Sequence, residues 1–414
     1  MSLRDPGAWC RALAAASIAA LASEARGAEE LALADAVQRA LAASAEVRAA
    51  EAEVRAAAET RRVAGRLLAD NPMVEAAAGR RDGTAEYEAA LSQRLEPWGQ
   101  RGARADAAEA ALRAAEARRA VRRGEVLAEV RTLFAGVRAA RERAAVEAEA
   151  ARIAVDAERA SVARERAGDV SRLEVIAARV ASGRAGRGRL VAEEDRAAAE
   201  AALELALGLE PGALRELALA PGTPRAAITP ADEAALADQA LERRADVAAA
   251  RADAEAARAG SRLAGREAIP SPALGVAWAR EEGEDIVQGT LAVELPLFRR
   301  NEVARAEASA RASTAEAHLA GLVRRVRQEV RLAAGRVRSA RAAVEALGDG
   351  AIAAVEENAA LVERAHAEGR LGFVEVALLR GQLLDARRDR IDAVERLARA
   401  EAELGRVTGE QPGR

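Results

Sequence analysis

The 414-residue chain has one cysteine, two histidines, one tyrosine and no lysine, and only 2% of it is aromatic. Each shortage excludes something. Two histidines and one cysteine are too few to build a metal or redox centre, so no cofactor is expected. The scarcity of large aromatic side chains argues against the wide, filled core of a compact enzyme of this size. All the basic residues are arginine and the net charge is −3, so no basic face for nucleic acid is expected. No apolar run reaches ~18 uninterrupted residues, which excludes a membrane-spanning helix. Catalytic patterns are missing too. His318 and His366 stand alone on helical stretches, and Gly183, Gly186 and Gly188 lack the preceding strand and the lysine of a phosphate loop.

What is abundant is alanine, within a 50% hydrophobic and 31% charged composition. Alanine is the best helix former and buries little area per residue, which suits long helices packed closely along their length. Alanine, glutamate, arginine and leucine at helical spacing indicate long helices or coiled coil. The first 27 residues have the layout of a secretory signal. Arg4 and Arg11 precede a short apolar stretch, Ala12 to Ala22, and Ala25-Arg26-Gly27 supplies small residues before a cut at Ala28. Cys10 lies ahead of the apolar stretch, so a processed chain would carry no cysteine and no disulfide.

The chain is duplicated at a spacing of 200, the difference between Leu41 and Leu241. In that register Val47 matches Val247, Ala64-Gly65-Arg66 matches Ala264-Gly265-Arg266, Pro72 matches Pro272, and Glu129-Val130-Arg131 matches Glu329-Val330-Arg331. With one residue inserted, Gly168 falls on Gly369, Glu174 on Glu375 and Gly208 on Gly409. Proline, glycine and mixed triplets held in one register mark a true repeat. The expected organisation is a signal over 1–27, a first repeat over 28–208, a connector over 209–231 with four prolines, a second repeat over 232–409, and a tail over 410–414.

Each repeat reads as helix, two strands, long helix, shorter helix. The first helix is expected over 31–69, closed by Asp70-Asn71-Pro72 because the residue before proline leaves the α region. Strands are expected at 73–81 and 85–96, turning at Asp82-Gly83, and at 273–280 and 286–297, turning at Gly283. The long helices are expected over 101–166 and 302–367, about 100 Å each. Asp169 or Ser171 is placed to cap the helix that ends near Gly208. Helices of that length are rods, and two shorter ones end to end would match one long one.

The strands alternate. Tyr87, Ala89, Leu91 and Leu95 share one side, as do Val287, Gly289, Leu291, Val293 and Leu295; Leu274, Val276 and Trp278 share another, matched by Val74, Ala76 and Ala78. Ten residues of such alternation is the length of a tilted membrane strand. Trp98 and Phe298, 200 apart, stand just past the strand ends where an aromatic girdle would sit, with Tyr87 and Trp278 as further interface aromatics. Two hairpins lying on a soluble bundle are the plainer alternative. Four strands cannot close a barrel, and an open edge in lipid leaves backbone groups unpaired. Closure would need several copies, eight strands from two or twelve from three.

With this plan the chain resembles the TolC-type outer-membrane efflux channels of Gram-negative bacteria. The carriers are the duplicated helix–hairpin–helix–helix order, Asn71-Pro72, the segment LSQRLEPWGQRGAR at 91–104, VELPLFRRNEVAR at 293–305, and RERAGDVSRLEV and HAEGRLGFVEV at the two helical turns. The first segment looks most like channels serving heavy-metal efflux of the cobalt–zinc–cadmium type. The resemblance implies a mainly α fold with a small membrane β part, a homotrimer whose twelve-stranded barrel in outer-membrane lipid opens into a helical periplasmic tunnel. It implies a passive exit duct for drugs or metal ions, working with a periplasmic adaptor and an inner-membrane, proton-driven transporter. It places Gly168 and Gly369 at the tip where the adaptor docks, and Glu174 and Glu375 at an acidic tip aperture. Leu371 and His366 depart from the arginine and aromatic of the best-known members. A solvated helix-face carboxylate is the plain alternative for Glu375. A periplasmic coiled-coil rod bridging two membranes is the alternative for the whole chain.

Overall fold

The computed structural model describes residues 30–81, 84–220, 232–281, 284–368, 370 and 373–410. The expected signal at 1–27, the turns at Asp82-Gly83 and Gly283, most of the proline-bearing connector, Gly369, Leu371 and the end of the tail lie outside the described residues. The side chains of His366 and Glu375 also lie outside them.

The order is β1 (Glu30–Leu31), α1 (Leu33–Ala43), α2 (Ala45–Ala64), β2 (Met73–Arg81), β3 (Thr84–Arg94), α3 (Gln100–Ala167) and α4 (Arg172–Leu207). After a 3-10 turn at Ala213–Glu216 come β4 (Ala218–Leu219), α5 (Asp232–Arg243), α6 (Ala245–Glu267), β5 (Ala273–Glu281) and β6 (Glu284–Ala292). Last come α7 (Glu302–Ala346), α8 (Asp349–Ala367) and α9 (Phe373–Thr408). The fold is mainly α with one four-stranded antiparallel sheet, β2-β3-β5-β6.

Four expectations are corrected. The helix expected over 31–69 is two helices that stop at Ala64, because Ser44 is extended and its hydroxyl accepts the Val47 N–H at 3.2 Å, starting a new helix. The second long helix, expected unbroken over 302–367, stops at Ala346 and restarts at Asp349. Gly348 and Gly350 flank that restart, and each lowers helix propensity by about 1 kcal/mol relative to alanine. The strand expected to reach 297 ends at Ala292, so Val293 and Leu295 are not in it. Finally, the start of the chain's described part and the connector form a small parallel pair, Glu30 opposite Ala218 and Leu31 opposite Leu219.

The chain divides into two compact units, one from within 1–43, 129–227 and 339–399, the other from within 44–128, 228–338 and 400–414. In the first, α1 packs on α4, and the buried side chains include Val130, Phe134 and Val137 of α3 and Leu203 and Leu207 of α4. Arg141 of α3 donates to Glu200 of α4 at 2.8 Å and to the carbonyls of Leu214 and Leu217, while Glu204 accepts the N–H groups of Gly212 and Leu214 at 2.9 Å each. Two buried carboxylates thus fold the start of the connector back onto α4. Along the other side of α3, Arg143 pairs with Asp392 and Glu395 of α9, and Glu147 accepts from Arg388 at 2.6 Å.

In the second unit, Val326, Val330 and Val337 of α7, Val247 of α6 and Leu404 of α9 are buried. Arg118 of α3 pairs with Asp253 of α6, and Arg258 with Glu316 of α7 at 2.6 Å. The sheet belongs to this unit.

Candidate functional site

Register decides what the sheet can do. Val74, Leu91, Val276 and Gly289 form one continuous row across the four strands, and Ala76, Ala89, Trp278 and Val287 the next. Tyr87 follows in the row of Ala78, Arg280 and Asp285, and Leu274 with Leu291 lie in the row before. Because side chains alternate, all of these share a face. The opposite face carries Glu75, Glu86, Glu88, Ser92, Arg94, Gln288 and Thr290 among alanine and glycine, with Met73 and Ile286 as its two large apolar residues. The apolar face is open, with Val276 57% exposed, whereas Ala277, its neighbour on the polar face, is 3% exposed. Gly275 on that face is needed because a Cβ would stand 2.6 Å from Thr290 Oγ1 and 2.7 Å from the Leu91 carbonyl. On β5 the polar side is the more covered and the apolar side the more open, the reverse of a strand packed on a soluble core, while β6 is exposed on both faces. From Leu274 to Trp278 the apolar band runs about 13 Å along β5, and the next row carries Arg280 and Asp285 beside Tyr87, so the band covers about half of the ~25 Å of a membrane barrel.

The sheet stops at β2 and β6, whose outer edges have no strand partner among the described residues. Such edges cannot stand in lipid.

The segment 91–104 resolves into struts. Gln93 donates to the Asp70 carbonyl at 3.0 Å, and the Trp98 indole donates to the Pro270 carbonyl at 3.0 Å. Buried Gln100 donates to the Ile269 carbonyl at 3.2 Å and accepts the Trp98 N–H at 3.0 Å. Arg101 and Arg104 donate to the carbonyls of Gly65 and Ala64, the open C-terminal end of α2, at 2.7 and 3.0 Å. Arg104 also grips Glu96 through two bonds of 2.7 and 2.6 Å, which holds its guanidinium above its ordinary pKa despite partial burial. The polar side chains of this segment fix the hairpin on the helices.

The second repeat builds the same junction two residues later. Asn301 takes the positive φ that Gly99 takes, 57° against 84°, and Glu302 accepts the Arg300 N–H at 2.8 Å as Gln100 accepts that of Trp98. Asn301 donates to the Ala264 carbonyl at 3.1 Å, the partner's place of Ala64. Arg300, not Phe298, is therefore the counterpart of Trp98. Phe298 is 94% exposed on the irregular segment after β6, and the spacing of 200 that linked it to Trp98 does not survive in the structure. Tyr87 and Trp278 lie on adjacent strands and share the apolar face.

At the helical turn Gly168 has φ 86°, its N–H bonds to the Glu165 carbonyl, and the Asp169 N–H bonds to the Arg164 carbonyl, both at 2.9 Å. This is the Schellman ending that glycine permits. The Arg370 N–H bonds to the Ala365 carbonyl at 2.9 Å. Of the two capping candidates the structure uses Ser171, whose hydroxyl accepts the Glu174 N–H at 3.4 Å. Glu174 is half-buried at the third position of α4, and its carboxylate makes no hydrogen bond or ion pair among the described residues. Glu375 lies in the first turn of α9. Among the described residues no group of His, Cys, Asp and Glu is arranged to hold a metal, and no helix is long and apolar enough to cross a membrane.

The described residues thus form a sheet with no further strand at its two edges, mounted by struts on long duplicated helices. Residues 36–209 match the family model described as outer membrane efflux protein. The fold is similar, over both repeats, to a membrane protein from Pseudomonas aeruginosa at 20% identity, covering 91% of this chain and 93% of that one, with a TM-score of 0.76. It is similar to the outer membrane protein VceC from Vibrio cholerae at 20% identity, 91% and 96% coverage and a TM-score of 0.73. The open-state MtrE outer membrane channel of Neisseria gonorrhoeae matches at 19% identity, 91% and 88% coverage and a TM-score of 0.71. No curated protein is similar enough to match.

Proposed function

We propose that three copies of the chain close a twelve-stranded barrel in the outer membrane and continue it as a helical tunnel, forming the passive exit duct of a tripartite efflux pump. The observation that carries this is the sheet with one exposed apolar face, one polar face and two edges without strand partners among the described residues. Three sheets joined edge to edge bury every backbone donor and acceptor, put Val74, Val276, Val287 and Leu291 in lipid, and line the interior with Glu75, Glu86, Glu88 and Gln288. Energy then comes from an inner-membrane transporter, proton-driven, reached through a periplasmic adaptor at the turns of Gly168 and Gly369. Glu174 and Glu375 set a cation-favouring aperture at that tip, since carboxylates in a narrow, partly desolvated pore repel anions. The likeness of the 91–104 segment to heavy-metal efflux channels makes divalent metal ions the cargo to test first and organic drugs the second.

The test compares the two faces of one strand pair. An arginine at Val276 is expected to cost about 2–4 kcal/mol at mid-membrane depth, removing trimers and outer-membrane recovery. Gln288→Arg, on the polar face, is expected to leave a trimer that conducts ions in planar bilayers with altered selectivity. Equal tolerance of both substitutions, or a monomer that does not conduct, rejects the channel in favour of a periplasmic rod bridging two membranes.

A further inference from the structure

Within the first unit, α3, α4, α8 and α9 leave between them a cavity of about 560 Å3. Its walls come from all four helices: Ala154 of α3, Ala185 of α4, Ala360 of α8, and Val376 and Leu384 of α9. Alanine is the reason it exists. Facing leucines would meet across a four-helix gap, whereas β-carbons stop short, and their outer sides lack contact atoms. The mouth is electrically balanced: Arg387 of α9 donates to Glu149 of α3 at 3.3 Å and to Glu356 of α8 at 2.8 Å, and Arg380 adds the second cation. Each charge there has an interaction already, so a charged guest gains nothing by entering. The volume lies inside the ~300–1,000 Å3 range of small-molecule sites with mainly apolar walls.

We propose that this cavity is a binding site for a small, uncharged, apolar ring compound, and that an occupant braces α3 and α4 against α8 and α9. The bracing effect rests on the channel reading above; the binding does not. In a duct whose tip opens by separation of these helices, an occupant that touches all four holds them together and lowers conduction. The site would thus take an inhibitor-like ligand, remote from the tip carboxylates.

The experiment uses the full trimer with 1-bromonaphthalene as probe. Crystals soaked in it are expected to give a bromine anomalous peak among Ala154, Ala185, Ala360 and Leu384. Ala154→Leu fills the space and is expected to abolish the peak; Ala185→Val serves the same purpose should the first variant fail to assemble. In planar bilayers the probe is expected to lower wild-type conductance by at least half and to leave Ala154→Leu unaffected. Bromine only at other places, or a second copy's helix seated in the space, overturns the site. A bromine peak in the cavity with unchanged conductance overturns the bracing role. A bromine peak there in a protein that never conducts upholds the site and rejects the channel reading, so the two failures are distinguishable.

Discussion

Both repeats break their first helix at the same place, after Ala43 and after Arg243, and close the break with different chemistry. In the first repeat Ser44 caps α2 through its hydroxyl, which also donates to Glu46 at 2.9 Å. In the second, Arg244 stands at that position, 4% exposed, and ties Asp246 with bonds of 2.9 and 2.6 Å, Glu329 with 2.6 Å and the Val407 carbonyl with 3.4 Å. The Val247 N–H, freed of a serine, is taken by Asp246 at 2.9 Å. Duplication has kept the backbone geometry and exchanged a local cap for a buried ionic clamp that reaches three helices. The repeat is conserved in shape where it is not conserved in residue.

That comparison sets the largest expected effect. Arg244→Ala leaves Asp246 and Glu329 without their cation and is expected to cost about 3–5 kcal/mol in denaturant unfolding, against about 1 kcal/mol for Ser44→Ala. The pH dependence has a definite sign. Burial pushes the Asp246 carboxyl up, but the Arg244 hydrogen bonds and charge outweigh it and hold it below the ordinary carboxylate range. Its contribution is therefore complete above the unfolded value and is lost as pH falls through the lower folded one. The stability gap between wild type and Asp246→Asn should be constant near neutrality and close below about pH 4. A gap that is already closing at pH 6 would break the clamp account.

A smaller effect separates the two helix ends that meet these breaks. Gly208 and Gly409 both take positive φ, 65° and 77°, and both end their helices with the same pair of carbonyl bonds. Each also backs onto its repeat's break. A Cβ at Gly208 would lie 2.8 Å from the Ala43 Cβ, whereas one at Gly409 would lie 2.7 Å from the Arg243 carbonyl carbon and the Arg244 nitrogen. Backbone yields less than a methyl group. The left-handed conformation costs alanine about 1–2 kcal/mol at either site, and overpacking adds about 1–3 kcal/mol more at Gly409. Gly409→Ala should therefore lower the unfolding midpoint more than Gly208→Ala. Ala43→Gly should relieve the steric part of the second defect, and no side-chain trimming should relieve the first.

How far these features are legible in the sequence depends on whether their cause is local. The glycines at 168, 208 and 409 are readable because positive φ at a helix end selects glycine directly, and the strand alternation is readable because register has a period of two. Ser44 carried a readable signal, a serine three residues before the N–H it caps, but the helical pattern on both sides of it concealed the break. Arg244 carried none: its role comes from Glu329 and Val407, 85 and 163 residues away. The struts of 91–104 were visible as a motif and not as a mechanism, since each bonds a carbonyl that only the fold brings near. The match of Phe298 to Trp98 failed for a related reason. A two-residue insertion in a junction preserves hydrogen bonds and shifts side-chain correspondence, and a count along the chain cannot see it.

The smallest expected effect concerns the break that one repeat has and the other lacks. Helix α3 runs through Glu147-Ala148-Glu149 without interruption, while its counterpart stops before Leu347-Gly348 and restarts at Asp349. A local cause and a packing cause make opposite forecasts. If Gly348 is the cause, Gly348→Ala returns about 1 kcal/mol of helix propensity and fuses α7 to α8. In the present geometry its Cβ would stand 3.0 Å from the Glu345 carbonyl, so the gain is realised only when the backbone straightens and is expected to net under about 0.5 kcal/mol in stability. The sensitive readout is amide exchange at 347–350, where the Leu347 and Gly348 N–H groups now bond at 3.2 and 3.1 Å to the carbonyls of Ala343 and Glu345. Slower exchange across this stretch, with Ala148→Gly raising exchange at the matching place in α3, assigns the difference between the repeats to a single residue. Unchanged exchange would assign it to the helices packed around the break, and the second repeat would then be bent by its neighbours and not by its own chain.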